Sequence, residues 1–189
     1  MLTEIAIFLL DTVFTLFGMA LLLRLWMQQV RLPARNPVSH AVFQVTDWLV
    51  RPLRRIIPGV GGIDWATVVA AWLTAVVFLA AVLGVTGGMP FELLPAILGI
   101  AVLNVIKWGI SLIMWVTLLM AILSWVNPHS PVTPIIQQLT DPLLNPIRRV
   151  MPRLGGFDLS PLVLFIIAQI LLMVLAGISA NLFGFRHLL

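Results

Sequence analysis

The apolar positions of this chain fall into four long runs, and most polar positions gather between them. The runs cover about residues 2–29, 65–84, 94–125 and 159–183. Each reaches the roughly 20 residues that a helix needs to cross a bilayer core. The pattern therefore predicts four membrane-spanning helices. Gly61-Gly62 precede the second run and Gly87-Gly88-Met89-Pro90 follow it, as residues that interrupt helices should. The third run is longer than one crossing requires, so it tilts or begins with an interfacial turn near Phe91-Glu92.

The two polar segments, 30–64 and 126–158, carry a different pattern. Val38, Val42, Val45, Trp48, Leu49, Leu53 and Ile56 recur at intervals of three or four, with Gln44, Asp47, Arg51, Arg54 and Arg55 between them. Ile135, Ile136, Leu139, Leu143, Ile147 and Val150 repeat that stripe in the second segment. An apolar stripe opposite a basic face suits a helix lying in the membrane interface. Pro52, Pro142 and Pro146 are expected to divide these stretches into short pieces, and Asp141-Pro142 reads as an N-cap followed by a first-turn proline.

Composition agrees with a membrane protein. Hydrophobic residues make up 61% and charged residues 10%, where a soluble domain has about a quarter charged. Mean hydropathy is +1.10. The net charge of +4 would suggest an acidic partner only if it were spread over a water-facing surface. Instead, eight of the 11 basic residues sit in the two polar segments, and no nucleic-acid partner is expected. By the positive-inside rule those segments face the cytoplasm, a placement that Arg186 opposes only weakly. The N-terminus has no basic n-region, so the first run reads as a retained helix. With no cysteine, disulfides and thiolate metal sites are excluded.

A shift of 94 residues lays the chain over itself. Residues 46–64 then match residues 140–158 at ten of 19 positions without a gap. The shared positions spell Thr-Asp, then Pro-x-Arg-Arg-x-x-Pro, then Gly-Gly-x-Asp at the start of a spanning helix. Two units follow, 1–94 and 95–189, each made of a helix, a basic amphipathic segment and a helix. Two crossings per unit give both copies the same orientation, so this is a parallel repeat and not an inverted one. The expected fold is an all-α membrane protein with four transmembrane helices from two parallel repeats, each with a cytoplasmic amphipathic segment.

That doubled motif resembles the YggT family (also called YlmG) of bacterial and plastid membrane proteins, over nearly the whole chain. The copies differ at Trp48 against Pro142 and at Arg51 against Asn145. The resemblance implies a multi-pass protein of the bacterial inner membrane linked to osmotic-stress tolerance. It also implies ties to cell-division gene neighbourhoods and, in plastids, to assembly of photosynthetic complexes. It implies no catalytic mechanism and no cofactor.

Three sets of residues are candidates for function. Arg51, Arg54, Arg55, Arg148, Arg149 and Arg153 form basic clusters able to attract anionic lipid head groups or partner membrane proteins, at about 1 kcal/mol per charge near the surface. They also serve as topology signals. Asp64 and Asp158 stand where a carboxylate accepts the free N–H groups of the following helix, and either could also reach the nearby arginines. Gly61, Gly62, Gly155 and Gly156 supply the turn before them. Asp11, Asn104 and Lys107 lie inside predicted spans at similar depth, where a structural ion pair or an ion pathway are the two readings. Small-residue patterns at Ala80-Gly84-Gly88 and Ala176-Ala180 allow close helix packing.

His40, His129 and His187 have no metal-ligand spacing, and no nucleophile elbow is present, so neither an enzyme nor a resident metal is expected. The leading expectation is a non-enzymatic scaffold or assembly factor, possible as a homo-oligomer. The alternative is a small channel, transporter or accessory subunit acting in osmotic adjustment.

Overall fold

The computed structural model describes residues 1–33, 35–87, 94–127, 129–150 and 158–183. Six helices follow one another: α1 (Leu2–Gln29), α2 (Pro37–Ile56), α3 (Trp65–Thr86), α4 (Leu94–Val126), α5 (Thr133–Val150) and α6 (Ser160–Phe183). Among the described residues there is no strand, only an isolated bridge between Val60 and Ile63. Helices α1, α3, α4 and α6 are long and apolar enough to cross a membrane. The bounds agree with the apolar runs to within two residues, because in these helices hydropathy and helix length report the same thing.

Helix α2 begins on a sequence-encoded cap. The Asn36 side chain accepts the Ser39 N–H at 2.8 Å, and Pro37 takes the first helical position. The prolines do not divide α2 or α5 into pieces, contrary to the expectation from sequence: Pro52 lies inside one continuous helix, and Pro142 and Pro146 inside the other. A proline removes one bond, to the carbonyl four residues earlier. Those carbonyls belong to Trp48, Gln138 and Pro142, all exposed, where solvent or head groups can satisfy them. Packing then keeps each helix continuous, with Val50 and Leu144 fully buried. Asp141-Pro142 is likewise not a helix start. It lies in mid-α5, and Pro134 near the beginning of α5 takes the place a first-turn proline would fill.

Helices α1 and α3 pack on each other as α4 and α6 do, and α2 bridges the first pair as α5 bridges the second. The units meet through α4, which packs against both α1 and α3, while α6 packs on α4 and α5. At that joint the fully buried Trp108 lies over Gly18 so closely that a Cβ on Gly18 would overlap the indole. Trp108 Nε1 donates to Thr15 Oγ1 at 3.1 Å, and its ring meets Phe78 at 6.3 Å between centroids. Other hydrogen bonds that cross between the units run from Trp72 Nε1 to the Leu98 carbonyl at 3.2 Å and from Gln138 Nε2 to the Val30 carbonyl at 3.1 Å. The outer faces of the spans expose Phe8, Leu16, Val77, Val102, Ile170 and Met173, a surface suited to lipid.

Candidate functional site

The repeated motif closes a turn at one end of the bundle. After α2, the chain passes through Gly61 at φ +66° and Gly62 at φ +79°, both in the left-handed region, and reaches Asp64. A Cβ at either glycine would meet nothing, so glycine is required there by backbone angle and not by space. The Asp64 side chain is 9% exposed. It accepts from Arg54 Nε at 3.2 Å and from Arg54 Nη2, Thr67 Oγ1 and, at 3.4 Å, Gln28 Nε2. Burial alone would raise its pKa. The bonds from Arg54, Thr67 and Gln28, with the Arg54 charge, outweigh burial and hold the carboxyl below its ordinary value.

Asp64 therefore does not cap α3 in the expected way, for its carboxylate accepts no backbone N–H. The guanidinium and a hydroxyl occupy its oxygens, and the Thr67 N–H bonds to the Asp64 backbone carbonyl at 3.0 Å. In the second unit Asp158 Oδ1 does accept the Ser160 N–H, at 3.0 Å, and Oδ2 accepts from Arg148 Nε at 2.7 Å. Burial pushes this carboxyl up as well, and the bonds from Ser160 and Arg148 more than reverse it. Arg148 also reaches Asp141, at 2.8 Å, tying the middle of α5 to the start of α6. Arg153, Gly155 and Gly156 lie outside the described residues.

The second arginine of each pair is placed differently. Arg55 and Arg149 are exposed and have no ion-pair partner among the described residues. Arg51 pairs with Asp47 at 2.7 Å, yet 76% of its side chain is exposed. Two clefts open on this end. One, of about 420 Å³, is lined by Gln28, Arg54, Ile57, Gly62 and Asp64 among others. The other, of about 230 Å³, is lined by Arg24, Gln28, Phe43, Asp47, Arg51 and Arg54. They share Gln28 and Arg54.

Arg24 is the residue that the sequence did not single out. It is 3% exposed and donates through Nη1 to Asp47 at 2.7 Å and to Thr46 at 2.8 Å, with its guanidinium 4.9 Å from the centre of the Phe43 ring. It fastens α2 to α1. Its position in the second unit holds Leu118, so the repeat gave it no emphasis. The available signal was its type, an ionisable residue near the end of a span. Within the spans, Asp11 and Lys107 lie 3.8 Å apart, and Asn104 is fully buried one turn before Lys107 on α4.

The chain matches the CCB3/YggT family over residues 3–85 and 99–179, one match per unit. It belongs to that family. Relatives in the family include YggT of Escherichia coli K12, 40% identical over 173 residues covering 90% of this chain and 89% of its own length. A protein of Vibrio alginolyticus described as lying in the proC 3' region is 41% identical over 160 residues, covering 84% of this chain and 86% of its own. An uncharacterized protein of Pseudomonas aeruginosa PAO1 is 34% identical over 181 residues, covering 95% and 92%. No solved structure matches the chain. In this family member, then, each matched segment ends a basic helix in one arginine bound to an aspartate and one with no charged partner among the described residues.

Proposed function

We propose that the protein is a non-enzymatic scaffold or assembly factor of the bacterial inner membrane, with the arginine-bearing helices α2 and α5 on the cytoplasmic side. They engage the anionic head groups of the inner leaflet, and through that surface the protein holds its place among partner membrane proteins. The link to osmotic-stress tolerance rests on the family resemblance.

One observation carries this reading. In both units the arginines divide the same way: Arg54 and Arg148 are bound to Asp64 and Asp158, while Arg55 and Arg149 stay exposed without a charged partner among the described residues. Topology requires only a count of charges. A fixed register of one bound and one presented arginine, 94 residues apart, suits a surface that meets head groups at two points. Arg51 adds a third exposed guanidinium beside the arginine-lined cleft of the first unit.

Native mass spectrometry of protein released from mixed phosphatidylglycerol and phosphatidylcholine tests it. The expected result is retained anionic lipid on wild type and at least a tenfold loss of that preference in Arg55→Glu with Arg149→Glu. Equal retention of both lipids by wild type would overturn the reading.

A further inference from the structure

The Asp11–Lys107 pair lies far from the arginine-bearing end. Arg24 marks that end on α1, where it meets Asp47 of α2. Asp11 lies about 20 Å further along α1, at about 1.5 Å per residue. That places it well inside a hydrocarbon core about 30 Å thick. Its Oδ1 is 3.8 Å from Lys107 Nζ, within ion-pair range and beyond hydrogen-bond reach. Of the Asp11 side chain 47% is exposed, and of Lys107 25%. Phe8, one turn before Asp11, is exposed as well. Both charged side chains therefore keep an open flank at that depth. Ionisable groups at this depth almost always turn toward protein and pair there, because hydrocarbon offers them nothing.

We propose that a second copy of this chain covers the patch, in a twofold dimer where Asp11 of each copy meets Lys107 of the other. The patch holds one acid and one base on neighbouring helices at similar depth. A twofold axis along the membrane normal preserves depth, so it brings acid onto base twice over. In such an interface each residue of a contacting pair occurs on both sides. The result is a neutral cluster of two carboxylates and two ammoniums, in which the open flank of each pair faces charge of the opposite sign instead of acyl chains. Acyl chains carry no donor, and head groups lie at the wrong depth. This interface is on the spans and does not depend on what the arginines bind.

The test is single-molecule photobleaching in lipid bilayers at several protein densities. The absence of cysteine lets one introduced at Thr3 carry the dye. Wild type is expected to bleach in two steps. The variant Asp11→Leu with Lys107→Leu, which keeps the spans apolar, is expected to associate at least tenfold more weakly. Copies bearing Asp11→Lys alone and copies bearing Lys107→Asp alone should each remain single, yet pair when mixed, since one then carries two bases and the other two acids. That recovery also shows that the single variants fold. A wild type that stays single at every density, a double-leucine variant that pairs like wild type, or a failure of the mixed copies to pair would each overturn the dimer.

Discussion

Arg54 and Arg148 each grip the carboxylate that opens the next spanning helix, and the neighbouring Arg55 and Arg149 are left facing outward. The pairing of Arg54 with Asp64 was within reach of the sequence, because a bond needs a fixed spacing and the ten-residue interval recurs in both units. Which arginine binds was not legible, since adjacent residues on a helix differ by about 100° and only packing sets the face. Arg24 was hidden for another reason: its partner Asp47 is on a different helix, so no periodicity links them.

Asp64 and Asp158 give a pH dependence whose sign can be stated. Both carboxyls are held below their ordinary value in the folded protein. Unfolding releases them toward about 3.9, so the stability they add is complete above that value and is lost as pH falls through it toward the depressed folded value. Thermal midpoints in mild detergent, followed from about pH 6 down to about pH 2, should therefore fall more steeply for wild type than for Asp64→Asn with Asp158→Asn. Parallel curves would remove the clamps from the account of stability.

At the scale of elements, the four spans were legible because length and hydropathy suffice to recognise them. The amphipathic helices were legible as stripes, but not as continuous rods through Pro52, Pro142 and Pro146. Sequence rules weigh a proline as if its lost bond were buried, and here the freed carbonyls are on exposed residues. The contact between α1 and α4 was also invisible, although the Trp108 ring lies directly on Gly18 there. Gly18→Ala should destabilise the protein by about 1–3 kcal/mol, as overpacking at a closed contact does. Gly84→Ala is the comparison, because a Cβ there meets nothing and alanine favours a helix. Equal unfolding midpoints for the two variants in denaturant would show that the Trp108 contact yields without cost.

At the scale of the whole molecule, the repeat revealed two units of the same orientation but not how they pack. Spanning helices are apolar on every side, so the sequence does not separate a face that meets another helix from one that meets lipid. The units are not joined symmetrically: α4 touches both α1 and α3, while α6 packs on α4 and α5. What the units do share is the arginine-bearing end, and the proposed function stands on its division into bound and presented arginines. Thermal unfolding in phosphatidylcholine nanodiscs, with phosphatidylglycerol added stepwise, tests that division most directly. Arg54→Gln with Arg148→Gln should lower the midpoint in every lipid and keep the rise that anionic lipid produces. Arg55→Gln with Arg149→Gln should leave the midpoint in phosphatidylcholine unchanged and lose that rise. If the two variants behave alike, or if anionic lipid does not stabilise wild type, the division into clamp and presented arginine is wrong.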